Sequence, residues 1–245
     1  MNVEVNGPRI MFRIPILDGI PVTETVVNMW IIMAAIVLAC IWLTHGLKVK
    51  PTSKKQIVVE TLVGMAVGFV ESTMGKKFRH WTPYITALFS LSIISSLSSL
   101  VGMRPPTADL SVTLAWALLT FVLIQGMKFK TNGFLGYFKS FTEPVVFITP
   151  INIVGEIATP ISMSFRHFGN IGAGMVITSL VYGALGALSS LVLGAIPNSF
   201  IASIPIFQLG LPAFLSIYFD LLTSFLQAYI FCMLTMVYVS NASEE

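Results

Sequence analysis

Charged residues are what this 245-residue sequence most conspicuously lacks: they make up 10% of it, where a soluble domain carries about 25%. Together with 55% hydrophobic residues and a mean hydropathy of +0.85, that shortfall excludes a water-soluble globule and points to an all-α membrane protein. Cysteine is nearly absent as well. Cys40 and Cys232 both fall inside apolar runs and read as buried free thiols. With only three histidines in the chain, no Cys/His cluster has metal-ligand spacing. No metal and no cofactor is expected. A net charge of +3 is too small to suggest nucleic acid as a partner. Residues 1–25 also lack the basic start, apolar centre and small-residue cleavage site of a secretion signal. Insertion is expected to rely on the spans themselves, within a single domain over residues 1–245.

What is present is a series of long apolar runs. A bilayer core about 30 Å thick needs about 20 apolar residues in a helix. Residues 26–43, 84–101 and 112–127 meet that need. Residues 53–75 are different: Glu60 and Glu71 interrupt the apolar pattern and lysines flank both ends. This predicts an amphipathic helix lying at the interface, with a short, poor span as the alternative. Gly133, Gly136, Pro144 and Pro150 make residues 131–150 look like a re-entrant or surface hairpin. The two runs 152–193 and 206–240 are each far longer than the hydrocarbon needs, so they are expected to tilt strongly. That geometry suits a protein hugging a curved partner.

The basic residues set the expected topology. Lys48, Lys50, Lys54, Lys55, Lys76, Lys77 and Arg79 lie between the first two spans, and Lys128, Lys130 and Lys139 follow the third. The other side has only Arg9, Arg13 and Arg104. The positive-inside rule then puts the lysine-rich side in the cytoplasm and the N-terminus outside. Two further crossings return the C-terminus to the cytoplasm, which makes about five spans and one surface helix.

Between Glu143 and Glu244 only Glu156, Arg166 and Asp220 carry formal charge. A charge at the bilayer centre costs about 2.5–3.5 kcal/mol on insertion scales, so such residues mark ion paths or buried pairs. Arg166 shares a helix face with Ser162 and Asn170, four residues to either side. Gly169, Gly172, Ala173 and Gly174 remove bulk nearby and let another helix approach. The guanidinium stays protonated, so it is a fixed positive charge beside a close-packed surface. The competing reading is a structural pair with Asp220 or Glu156. Asp220 and Gln227, seven apart, share a face of the last helix. Asp220 suits ion exchange, a salt bridge to Arg166 or a place at the water interface; Gln227 suits an interhelical hydrogen bond. His167 points about 100° away from Arg166 and reads as a packing or headgroup residue. Asp109 reads as a cap for the helix starting near Ser111.

These residues sit in recognisable company. SFRHFGNIGAG (164–174), TPINIVGE (149–156) and LQAYIFCMLTMVYVSNASEE (226–245) resemble the arginine, P-x-N-x-x-x-E and C-terminal motifs of subunit a of F-type ATP synthases. PTADLSVTLAWAL (106–118) and GIPVTETVVNMW (19–30) match further elements of that family in the same order. The resemblance implies a non-catalytic stator subunit in a bacterial plasma membrane. Its partners would be the c-ring, the peripheral stalk subunit b, the other synthase subunits and membrane lipid. Two aqueous half-channels would open to opposite sides, with Arg166 as the essential arginine between them. Asn170 and Gln227 match polar residues near that arginine, and Glu156 a carboxylate near the cytoplasmic side. A positive charge lowers the pKa of a nearby carboxylate, so a rotor carboxylate releases its ion at Arg166 and reloads beyond it. The driving force is about 2.3 kcal/mol per charge per 100 mV. The ion is a proton or sodium.

The chain departs from the family in several places. Met175 stands where many relatives carry Glu or His, Asp220 where His or Glu is common, His167 where Leu is usual and Ser99 where Asn is common. Other function classes fit less well. A secondary transporter predicts paired inverted repeats, and the arginine element has no second copy. A membrane enzyme needs a catalytic cluster, and Asp220, Glu156 and His167 supply neither nucleophile nor metal spacing.

Overall fold

The computed structural model describes residues 8–15, 20–49, 53–142, 146–193 and 217–243. It opens with a hairpin that the sequence barely signals. Strand β1 (Ile10–Ile14) pairs antiparallel with β2 (Ile20–Thr23), with a bulge between Ile10 and Phe12. Strands this short, with Pro21 in one of them, leave too little alternation to read. The hairpin runs directly into helix α1 (Glu24–Thr44), whose first amide donates to Arg9 O at 2.8 Å.

Among the described residues five more α-helices follow: α2 (Lys54–Met74), α3 (Thr82–Leu97), α4 (Leu110–Ser140), α5 (Thr149–Leu193) and α6 (Thr223–Asn241). Among the described residues, six helical segments are long and apolar enough to cross a membrane, and α2 is in one of them. Length and composition therefore do not separate a span from a surface helix.

Contacts place the helix ends. Near its start α1 buries Thr25, Asn28 and Ile32. Thr25 Oγ1 donates to Asp109 Oδ2 at 2.7 Å, and Asn28 Nδ2 to Arg104 O at 3.0 Å. The end of α3 reaches the same place, where Ser96 and Thr107 hydroxyls share a hydrogen bond of 3.0 Å. The start of α1 and the end of α3 thus meet at one end of the bundle, and the two helices are antiparallel. At the far end, Lys55 Nζ donates to the carbonyls of Trp42 and His45. The 3-10 turn Lys76–Trp81 joins α2 to α3. Helix α2 thus begins at the end of α1 and finishes at the start of α3, with both its ends away from Asp109.

Asp109 caps α4 as expected, accepting from Ser111 N at 3.1 Å and Ser111 Oγ at 2.7 Å. It also ties α4 to α1 through Thr25. The turn expected within 131–150 falls at Gly133 (φ 66°), a backbone conformation that glycine adopts without a Cβ clash. The remainder of α4, to Ser140, folds back from there: Tyr137 stacks on Phe129 at 3.8 Å and its hydroxyl donates to Gln125 Oε1 at 2.9 Å. Helix α5 has 45 residues, roughly 68 Å at 1.5 Å per residue, and carries Pro160 within it. For the last long run, 217–222 forms a π-helical turn leading into α6; its portion 206–216 lies outside the described residues.

The core gathers on the inner faces of α3, α4 and α6 with the end of α2. Ile85, Trp116, Phe231, Cys232 and Met236 are among its members. Phe69 of α2 stacks on Tyr229 of α6 at 5.3 Å. Cys232 is buried as expected, but Cys40 is exposed among the outward apolar residues of α1. Lipid is as apolar as a protein core, so an apolar run does not say which of the two a side chain faces.

Candidate functional site

Helix α5 separates two faces within one turn. Ser162, Arg166 and Asn170 are all exposed on its outer side. The residue after the arginine, His167, is 1% exposed. Its ring packs edge-on against Trp116 at 6.0 Å and Phe231 at 5.6 Å. Its Nε2 lies 3.3 Å from Ser92 Oγ. Ser164, also buried, shares a 3.3 Å hydrogen bond with Thr113. Helix α5 is thereby anchored on α3, α4 and α6 through His167, and the 100° step to Arg166 turns the guanidinium outward. His167 is a packing residue, as its position suggested.

The face around Arg166 is open. A Cβ at Gly169 would meet nothing within 4 Å, and Ala173 is exposed. A Cβ at Gly172 would instead meet the Phe168 ring at 3.7 Å. Met175, nine residues after Arg166, is 39% exposed, so that position is accessible but apolar.

The structure brings the other expected site residues together only in part. Glu156 lies ten residues before Arg166, roughly 15 Å along the helix. Its partner is Lys128 of α4, with Gln125 donating to its second oxygen. The structural pair of Arg166 with Glu156 is therefore not formed. Among the described residues the ion pairs are Lys128–Glu156 and Arg79–Glu71. Gln227 is 7% exposed and faces into the bundle, not onto the outer surface that holds Arg166. The backbone of Asp220 lies in the π-helical turn before α6; its side chain is outside what is described.

The residues that sequence reasoning missed are polar and uncharged, or charged and paired. Ser92, Ser95 and Ser96 of α3, Thr113 of α4 and Ser164 of α5 are buried. The signal for them was the serine content of α3. Lys128 was read only as a topology marker. Near the start of α5, a cavity of about 1030 Å³ is lined by Lys128, Asn132, Lys139, Asn152, Glu156 and Asn241, among others. Among the described residues no group of His, Cys, Asp and Glu is placed to hold a metal.

Comparisons with known proteins agree on one family. The family model described as ATP synthase A chain matches residues 26–240. The sodium ion specific ATP synthase subunit a of Propionigenium modestum is 33% identical, over 97% of this chain and 86% of that protein. ATP synthase subunit a of Moorella thermoacetica is 34% identical, over 92% of this chain and 93% of its own length. ATP synthase subunit a 2 of a Bradyrhizobium species is 30% identical, over 92% and 91% respectively.

Proposed function

Because this chain belongs to the ATP synthase subunit a family, we propose that the outer face of α5 is its rotor-facing surface, with Arg166 as the fixed charge between two ion half-channels. The chain is the ion-channel stator subunit of the synthase membrane sector and is not itself catalytic. One observation carries the finer reading: Arg166 is exposed with Ser162 and Asn170, while its neighbour His167 is locked inward. An intramembrane charge held outward beside small residues needs a partner at that face. A c-ring presenting carboxylates supplies both the surface and the counter-charge. The cavity beside Glu156 is the cytoplasmic mouth, and Asp220 serves the outer half-channel. Subunit b contacts the chain elsewhere.

The test is cross-linking in the assembled synthase. A cysteine at Ser162 or Ala173 is expected to form a disulfide with a cysteine on the outer helix of a ring subunit. A cysteine at Leu38, on the exposed face of α1, is expected not to. Equal cross-linking from α1 would assign the rotor to a different face.

The transported ion is sodium or the proton. The relative from Propionigenium modestum is described as sodium ion specific, which makes sodium worth measuring directly. ATP-driven uptake of radioactive sodium into inverted vesicles distinguishes the two: accumulation marks sodium, and acidification without it marks protons.

The membrane orientation follows from the lysines together with the placement of α2. If both ends of α2 lie on the lysine-rich side, the helix runs along the cytoplasmic surface. The remaining helices then cross, with the N-terminus outside and the C-terminus in the cytoplasm. Cysteines at Lys54 and Lys77 are expected to react with a membrane-impermeant maleimide only from the cytoplasmic face. A cysteine at Val101, which is 79% exposed, should react only from outside. Labelling of all three from one side would refute this arrangement.

A further inference from the structure

Both carboxylate oxygens of Glu156 are occupied. Lys128 Nζ donates to Oε1 and Gln125 Nε2 to Oε2. Gln125 Oε1 in turn accepts the Tyr137 hydroxyl at 2.9 Å. The side chains of Lys128 and Glu156 are 14% and 20% exposed, so the pair is mostly withdrawn from water yet reachable. Glu156 stands where two cavities meet. One, of about 1030 Å³, is lined by Lys128 and Glu156. The other, of about 520 Å³, is lined by Gln125, Tyr137 and Glu156.

We propose that Lys128 sets the affinity of the cytoplasmic mouth for the transported cation, by competing with that cation for Glu156. This rests on the reading of the larger cavity as that mouth. A cation approaching Glu156 meets a carboxylate whose oxygens are already taken and a like charge beside it. It must displace the ammonium or share the carboxylate with it. The two partners on Glu156 differ in kind. Gln125 is braced by Tyr137 and holds one oxygen in place. Lys128 is a point charge on a flexible four-carbon stem, beside a cavity large enough to receive it. The ammonium therefore swings aside and returns while the carboxylate stays fixed. Thr113–Ser164 and Trp116–His167 already join α4 to α5, so the pair is not needed as the sole clasp between these helices.

The experiment uses inverted membrane vesicles carrying the whole synthase, with ATP-driven uptake as the readout. Sodium on the cytoplasmic face is titrated at fixed pH, and protons are titrated in sodium-free buffer. For the ion that is transported, Lys128→Gln is expected to lower the half-saturating concentration about fivefold, the effect of removing one competing charge from a part-exposed pair. Lys128→Arg, which keeps the charge, is expected to stay within about twofold of the parent. Gln125→Glu leaves Lys128 in place and adds a second anion. It should lower the half-saturating concentration too, which covers the case in which Lys128→Gln does not assemble. An unchanged half-saturating concentration overturns the proposal, including the case where only the maximal rate falls, since that marks a structural clasp. Glu156→Gln separates the proposal from the reading beneath it. If Glu156→Gln shifts the half-saturating concentration and Lys128→Gln does not, the mouth stands and the competition is wrong. If neither shifts it, Glu156 is not in the mouth and both fall.

Discussion

Arg166→Ala is expected to abolish ATP-driven ion uptake into inverted vesicles while the synthase still assembles. The side chain is exposed on α5, and exposed substitutions usually change stability by about 0.5 kcal/mol or less. Assembly should survive on the inward anchors, His167 and Ser164, which the substitution leaves untouched. In the proposed function, what is lost is the permanent charge that would discharge a rotor carboxylate and repel free cations from a direct leak between half-channels. Arg166→Lys should fail as well. An ammonium lacks the planar fork of guanidinium and sheds its proton more readily in an apolar setting. Ion uptake is read by fluorescence quenching or radioactive sodium, and assembly by co-purification of the ring and soluble ATPase subunits. Coupled uptake at the parental rate in either variant would remove Arg166 from its assigned place.

The second large effect is expected at Asp220. Between Glu156 and Glu244 it is the only carboxylate in the chain. On α5, Met175 is accessible but apolar. A carboxylate takes up and releases a proton, or ligates a cation; an amide does neither. Asp220→Asn should therefore lower passive ion conductance through the membrane sector sharply after the catalytic head is stripped, with assembly retained. Asp220→Glu should keep much of the conductance, and Asp220→His some of it, because imidazole also titrates near neutrality. Met175→Glu added to Asp220→Asn should restore part of it, by returning a carboxylate to α5. Parental conductance in Asp220→Asn would mean that the outer half-channel runs past other groups. The buried hydroxyls of Ser92, Ser95 and Ser96 would then be the first to test.

Much of the architecture was legible without coordinates. The first two apolar runs, 26–43 and 84–101, fall within two residues of observed helical bounds once the 3-10 turn Ser98–Val101 is joined to α3. The long run 152–193 is a single helix that begins at Thr149. Asp109 was legible as a cap because a side-chain oxygen just before an apolar run has few other uses. The third run, 112–127, stops short of the helix, which carries on past Lys128 and Lys130 to the sharp turn at Gly133. Helical backbone does not end where the hydrocarbon does, because its hydrogen bonds are satisfied within the segment on either side.

The sequence by itself determined the solvent, the helical class, the family and the short roster of charges worth attention. Charge in hydrocarbon is costly, so every such residue stands out against its neighbours. Direction and partnership were decided only by tertiary structure. Arg166 faces outward because His167 is held between Trp116 and Phe231, and Glu156 is held by Lys128 and Gln125 instead of by the arginine on its own helix. Cys40 faces out and Cys232 faces in, although both sit in similar apolar runs. The physical reason is common to all of these. In a bilayer the outward and inward faces of a helix are equally apolar, so the periodicity that separates core from surface in water is lost. Only packing against a neighbouring helix then settles which way a residue points.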